Sequence, residues 1–239
     1  MIRTAAIFLF LVLFFIISLP FYVLIPVISK FDSHRADCMT QGIVCWAMRV
    51  ILTLSGVDVE VRGRENVPAD EAVMYIGNHQ SYYDILSTYP YVAGLTAYIA
   101  KEEINKVPLI RYWMRLLHGL TFDRENPRNA MKMILAAIDE VKSGYSIFVF
   151  PEGTRSKDGQ VGEFKAGSFK IATRTDCPVV PVGISGTPEI FEQHLPAVRS
   201  SHVIVRFGKP FRASELDAET KKHIGVYARE RGLELLKEG

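Results

Sequence analysis

The stretch Asn78-His79-Gln80-Ser81-Tyr82-Tyr83-Asp84 sets an imidazole and a carboxylate five positions apart, directly after the apolar run Val73-Met74-Tyr75-Ile76-Gly77. A neutral imidazole is a competent general base near pH 7, and a carboxylate on its other nitrogen fixes the tautomer and stabilises the imidazolium. On one continuous helix, five residues at about 100° each would leave the two side chains about 140° apart. A turn must therefore bring them together. The sequence supplies one: residues 73–76 predict a buried strand, Gly77-Asn78 ends it, and Ser81 is an N-cap candidate for a short helix through Asp84. A purely structural reading also fits, because Ser81-Tyr82-Tyr83-Asp84 resembles a capping box in which Asp84 serves only the helix start.

Three further polar clusters stand at the ends of predicted strands: Lys101-Glu102-Glu103, Asp123-Arg124 and Glu152-Gly153-Thr154-Arg155. In α/β sheets ligand groups collect beyond the carboxyl ends of the strands. Lys101, Arg124 and Arg155 offer cationic donors for an anionic ligand, Gly153 allows backbone amides to approach it, and Thr154 adds a hydroxyl. Each arginine alone also fits a solvated loop charge; it is their convergence with the His-Asp pair that points to a site.

Other chemistries are poorly supported. Residues 162–167 have the glycine spacing of a Walker A loop, but Ser168-Phe169-Lys170 follows where Lys-Ser/Thr is needed. Neither H-E-x-x-H nor G-x-S-x-G occurs, and His34, His118, His194, His202 and His223 lack the local partners of a metal site, so no metal is expected. The reading that survives is an alcohol deprotonated by His79, in a site for an anionic ligand at or near a membrane.

The elements that must position these groups follow from the patterning. Residues 4–29 carry no charge and are bounded by Arg3 and Lys30, which predicts a membrane segment. Pro20 and Pro26 interrupt it, so a kinked span and an interfacial or re-entrant anchor both fit. Lys30 and Arg35 against Arg3 favour the rest of the chain on the cytoplasmic side. Residues 38–55 predict an amphipathic helix with an apolar stripe of Met39, Ile43, Trp46, Val50 and Leu54, and a second stripe of Gln41, Cys45, Arg49 and Thr53. It fits either a core helix or a helix lying on the bilayer.

From Val57 onward strands alternate with helices. Strands are predicted over residues 57–61, 73–76, 95–100, 120–122, 147–150, 179–184 and 202–207, and helices over 108–117, 127–142, 167–173 and 217–237. This order implies an α/β fold, a sheet flanked by helices, with a boundary near Gly56 that separates residues 1–56 from 57–239. A net charge of +2 over 239 residues, with no long Lys/Arg run, gives no reason to expect nucleic acid. Cys38, Cys45 and Cys177 are odd in number and without C-x-x-C spacing, so neither a disulfide framework nor a zinc site is indicated.

These residues together resemble the glycerophospholipid acyltransferases, most closely the bacterial 1-acylglycerol-3-phosphate acyltransferases. The family's N-H-x4-D motif matches Asn78 to Asp84, and its second motif looks like Lys101 to Pro108 continuing through Gly119 to Phe122-Asp123-Arg124. The third matches Phe150-Pro151-Glu152-Gly153-Thr154-Arg155-Ser156, and the fourth Val180-Pro181-Val182-Gly183-Ile184-Ser185. Four motifs in the family's order span residues 73–186. One departure is Leu109-Ile110-Arg111-Tyr112-Trp113, where the second motif often carries a glycine.

The resemblance implies a mixed, largely parallel sheet and an enzyme that moves an acyl chain from acyl-CoA or acyl carrier protein to the 2-hydroxyl of 1-acylglycerol 3-phosphate (lysophosphatidic acid), giving phosphatidic acid. It implies His79 as general base, Asp84 as its orienting carboxylate, and Lys101, Arg124, Glu152, Gly153, Thr154 and Arg155 as ligands of the glycerol phosphate. Pro181 would shape the acyl site, and Lys101 or a backbone amide would stabilise the oxyanion. No cofactor is implied beyond the acyl thioester cosubstrate, and the expected location is the cytoplasmic face of the inner membrane. Another lyso-lipid acceptor, water in a hydrolase, and a non-catalytic lipid-binding protein are the competing readings.

Overall fold

Two prolines shape the apolar N-terminus of the computed structural model, which describes residues 1–122, 127–156 and 159–237. Helix α1 (Ile2–Ile17) ends before Pro20, the N-cap of helix α2 (Phe21–Ser29), and the two are bent by 54°. At 1.5 Å per residue α1 is about 24 Å long, short of a hydrocarbon core of about 30 Å. Pro26 lies inside α2 and cannot donate to the carbonyl of Tyr22, one turn back. The hydroxyl of Tyr112 fills that gap, donating to Tyr22 O at 2.5 Å.

Helix α3 (Ser33–Ser55) starts five residues earlier than the patterning predicts, because Asp32 caps it by accepting from the N–H of Arg35. Gly56, at φ 69°, closes it in the left-handed conformation that glycine adopts without penalty. The buried face of α3 is Ala36, Thr40, Val44, Ala47, Ile51, Leu52 and Ser55, and no residue of the predicted apolar stripe belongs to it. Met39, Ile43 and Trp46 instead line an apolar groove of about 600 Å³ with Phe10, Phe14 and Phe21 of α1 and α2. The polar stripe is tied to the chain ahead of β3, since Gln41 donates to Gly94 O, Cys45 to Tyr89 O and Arg49 to Pro90 O, while Arg49 and Thr53 stay exposed.

The remaining elements are strand β1 (Asp58–Arg62), strand β2 (Met74–Gly77), helix α4 (Tyr83–Thr88), strand β3 (Thr96–Lys101), helix α5 (Pro108–Leu116), strand β4 (Leu120–Phe122), helix α6 (Pro127–Lys142) and strand β5 (Ser146–Val149). They continue with helix α7 (Lys170–Thr175), strand β6 (Val179–Ser185), strand β7 (His202–Phe207), helix α8 (Ala218–Lys222) and helix α9 (Ile224–Lys237). The single helix predicted over 217–237 is two, with Asp217 capping α8 through the N–H groups of Glu219 and Thr220. The helix predicted over 167–173 begins as a 3₁₀ turn, Ala166–Phe169, before α7.

Seven strands form one sheet in the order β1-β7-β6-β2-β5-β3-β4. β6, β2, β5, β3 and β4 run parallel, whereas β7 is antiparallel to β6 and carries β1 parallel to itself. The sheet is therefore mixed and largely parallel, as the resemblance implies. Period-2 alternation splits its side chains between two layers. Met74, Ile76, Ile147, Val149 and Val179 meet one buried layer, shared with α6, α7 and α9. Val73, Tyr75, Phe148, Val180 and Val182 meet the other, shared with α3 and the N-terminal helices.

The consequence for function lies at the carboxyl edge. Three adjacent strands, β6, β2 and β5, end side by side there, so residues just beyond 185, 77 and 149 converge although they are far apart in sequence.

Candidate active site

The turn after β2 is fixed at its base by Asn78, the first residue of the N-H-x4-D motif. Its amide donates to Ile184 O at 2.9 Å and accepts from Ile184 N at 2.8 Å, so a buried side chain continues the ladder between β2 and β6. His79 leaves from this anchor. Its ring stacks on Phe150, with centroids 4.1 Å apart and planes at 19°. Phe150 in turn meets Phe148, which stacks on Tyr98, so the imidazole caps an aromatic column rising from the core.

Nδ1 of His79 lies 2.8 Å from Oδ2 of Asp84, and Asp84 is fully buried. The same Oδ2 accepts the N–H groups of Gln80 at 2.6 Å and Ser81 at 2.8 Å. An oxygen already accepting two backbone donors acts as an acceptor toward the ring as well, which assigns the proton to Nδ1 and leaves the lone pair on Nε2. Asp84 therefore accepts from the backbone of the turn and from the histidine ring at once, so the capping reading and the pairing reading do not exclude each other. Ser81 supplies a second cap, its Oγ accepting from the N–H of Tyr83 at 2.9 Å.

The loop after β5 closes the other side. Glu152 is buried; its Oε1 accepts the backbone N–H of His79 at 2.7 Å and its Oε2 that of Gly162 at 2.9 Å. Burial pushes its carboxyl above the usual range, and the two backbone donors, Gly162 first and then His79, pull it part of the way back. Ser156 N–H donates to His79 O at 2.8 Å, so the same loop grips the histidine backbone twice.

Arg155 lies over Tyr82, its guanidinium carbon 3.7 Å from the ring centroid, and donates to Glu192 Oε1 at 3.2 Å. Glu192 also accepts from Ser81 Oγ at 2.7 Å and from Tyr82 N at 2.8 Å. One carboxylate thus ties the arginine to the histidine turn. With its side chain about a third exposed (34%), Arg155 keeps donors available to a ligand.

A half-buried imidazole with a carboxylate-fixed tautomer, flanked by an open guanidinium, suits proton removal from a hydroxyl on an anionic molecule. Residues 58–185 match the family model described as Acyltransferase. The chain belongs to the acyltransferase family. It is 34% identical over 194 residues to the chloroplastic 1-acyl-sn-glycerol-3-phosphate acyltransferase BAT2 of Brassica napus, which covers 80% of this chain and 56% of that protein. With the 1-acyl-sn-glycerol-3-phosphate acyltransferase of Saccharomyces cerevisiae it shares 31% over 212 residues, covering 86% of this chain and 68% of the yeast protein. The crystal structure of the 1-acyl-sn-glycerophosphate acyltransferase PlsC from Thermotoga maritima is similar with a TM-score of 0.74 and 29% identity, covering 99% of this chain and all of that one. The chain thus spans little more than half the length of the plant relative.

In this acyltransferase chain the predicted site residues divide. His79, Asp84, Glu152, Gly153 and Arg155 come together around the histidine turn, with Thr154 exposed beside them. Gly153 adopts φ 70°, the left-handed conformation that glycine takes without penalty, with Lys165 Nζ beside it. Lys101 ends β3 as an exposed side chain, two strands away from β2. Arg124 lies outside the described residues.

Two expectations change. Glu152, an acceptor without a donor when ionised, offers nothing to a phosphate oxygen, and its two oxygens hold the N–H groups of His79 and Gly162, so it braces the His79 backbone. Pro181 is buried in the middle of β6, paired with Ile76, and does not line the apolar groove, so it belongs to the sheet beneath the site. Phe150, Thr187, Glu192 and Lys165 also reach this region, and none of them is a predicted site residue. Phe150 and Lys165 lie within or close to the third motif, but nothing local marks Thr187 or Glu192, which reach the turn from more than 100 residues away.

Proposed function

We propose that the protein transfers an acyl group from an acyl thioester, carried by coenzyme A or acyl carrier protein, to the 2-hydroxyl of 1-acylglycerol 3-phosphate, forming phosphatidic acid. The observation that carries this reading is the 2.8 Å contact between His79 Nδ1 and a fully buried Asp84, which directs Nε2 outward as the base. Nε2 takes the hydroxyl proton as the oxygen attacks the thioester carbonyl, and Asp84 stabilises the imidazolium that forms. Collapse of the tetrahedral intermediate releases the thiol, which can recover that proton. A thioester is already activated, so positioning and base catalysis suffice without a cofactor.

Arg155 binds the phosphate of the acceptor, with Lys101 and Arg124 as further cations and Gly153-Thr154 as backbone and hydroxyl donors. Lys101 or a backbone amide stabilises the oxyanion. The match to relatives named as 1-acyl-sn-glycerol-3-phosphate acyltransferases supports this acceptor. The outward Phe8, Leu13, Ile17 and Val23 of α1 and α2 support seating of the N-terminal helices in the bilayer that holds it, and Lys30 and Arg35 against Arg3 favour its cytoplasmic face.

The test is a turnover assay of the purified full chain with an acyl-CoA and an acyl carrier protein thioester against a panel of acceptors. Phosphatidic acid should form from 1-acylglycerol 3-phosphate, and His79→Ala should cut turnover by about 10²-fold to 10⁴-fold, the range for losing a general base. Preference for a lyso-lipid without a phosphate monoester would reassign the acceptor. Free fatty acid without an acylated product would make the protein a hydrolase.

A further inference from the structure

Thr187 lies just beyond β6 and is fully buried, and its hydroxyl donates to Asp84 Oδ1 at 2.5 Å across 103 positions of sequence. This is the carboxylate oxygen that the histidine does not use. The donors divide: among the described residues His79, Gln80 and Ser81 converge on Oδ2, and Thr187 holds Oδ1. The torsion that turns a carboxylate about its Cβ–Cγ bond is broad and two-fold, so donors on one oxygen set a pivot without setting the plane. A donor on the second oxygen sets the plane.

The seat of Thr187 is rigid. Gly186 before it sits at φ 86°, where an added Cβ would come within 2.2 Å of His202 O. Ile190, also fully buried, donates its N–H to Thr187 O at 3.2 Å. The strand that delivers Thr187 is the neighbour of the strand that delivers His79, so the two ends are held in register by the sheet and by the Asn78-Ile184 pair.

We propose that Thr187 is a positioning residue for the His79-Asp84 pair, holding the Asp84 carboxylate in the plane that keeps Oδ2 on His79 Nδ1. This rests on the general-base reading above. The ionisable groups facing the pair are Glu152, on the His79 backbone, and Glu192 and Arg155, on the Ser81-Tyr82 side. All three remain when Thr187 is changed. The hydroxyl also draws charge toward Oδ1; without it more of the carboxylate's charge rests on Oδ2, against the imidazolium. Two signatures follow together: slower turnover from lost alignment, and an acidic limb of the kcat/KM profile displaced to higher pH.

The experiment compares the wild type with Thr187→Val, Thr187→Ala and Thr187→Ser, each checked for folding by its thermal transition. Thr187→Val and Thr187→Ala should lower kcat about 10-fold to 100-fold, as expected for losing a hydrogen bond to a charged group, leave the acceptor KM within about twofold, and move the acidic limb upward. Thr187→Ser, which retains the donor, should recover most of kcat and the wild-type limb. An unchanged kcat and pH profile in the folded apolar variants, or no recovery with serine, overturns the proposal. The ring ¹⁵N–¹H signal of His79 Nδ1 reads the same contact without turnover: it should persist in the wild type and Thr187→Ser and broaden by exchange in the apolar variants, and an identical signal in all four overturns the proposal. If that pattern appears in a protein that acylates no acceptor, the acyltransfer reading falls and the positioning role stands.

Discussion

Glu152 Oε1 accepts the backbone N–H of His79 at 2.7 Å, so a buried carboxylate from the loop after β5 holds the turn that carries the candidate base. Its other oxygen is committed to Gly162, and Arg229 of α9 donates to the carbonyls of Val161 and Gly162. The brace therefore runs from the C-terminal helix to the histidine.

Glu152→Gln should damage this brace, because one carboxylate oxygen becomes an NH₂ group that must face an N–H donor. Turnover should fall at least about 10-fold, since a buried donor left unsatisfied costs about 1–3 kcal/mol. The pH dependence has a definite sign. Burial raises the Glu152 carboxyl above its ordinary value, so its contribution to stability is fully present below the ordinary glutamate pKa of about 4.3 and is lost as pH rises through the raised folded value. Melting temperatures across the weakly acidic range should fall with rising pH more steeply in the wild type than in Glu152→Gln. Parallel curves would show that Glu152 is not the group responsible.

Asp84→Asn separates charge from geometry. The amide oxygen can take the place of Oδ2 and accept the same three donors, while its NH₂ faces Thr187 Oγ, which can rotate to accept. The fold and the histidine tautomer should survive, and kcat should fall about 10²-fold or more from losing the charge opposite the imidazolium. Near-wild-type kcat in the folded variant would remove the carboxylate from the mechanism.

Arg155→Ala should chiefly weaken acceptor binding, raising KM about 10-fold to 100-fold for the loss of a charge-assisted contact, with a smaller change in kcat. Glu192→Ala acts differently. It releases Ser81 Oγ, the Tyr82 N–H and Arg155 together, so kcat and KM should both worsen. A double-mutant cycle should show strong coupling between the two; additive effects would mean that Glu192 does not position Arg155.

Phe8 and Ile17 are among the most exposed apolar side chains, 70% and 68% open, so Phe8→Asp/Ile17→Asp should leave the fold intact. If α1 sits in a bilayer, each charge costs up to about 2.5–3.5 kcal/mol there, and the variant should shift from vesicle pellet to supernatant in sedimentation. Equal sedimentation of variant and wild type would place α1 outside the membrane.

The features legible in the chain were those written locally. Alternating valines mark β1 because a half-exposed strand has a period of two, short apolar runs mark β2, β5, β6 and β7, and Pro20, Gly56 and Gly144 mark breaks because each acts on its own backbone. His79 and Asp84 could be paired from spacing, since a turn was the sole way for them to meet. The rest rests on contacts between distant parts of the chain. Which face of α3 is buried depends on what packs against it, and the residues that do, among them Ala36, Thr40, Val44 and Ala47, are not its obvious apolar stripe. Glu152 looked like a ligand within its motif and became a brace when β5 was set beside β2. Thr187 and Glu192 carry no local signal at all; only the order of strands, which lays β6 against β2, brings their oxygens to Asp84, Ser81 and Tyr82. Hydrogen bonds act over about 3 Å, and only the folded sheet decides which residues come that close.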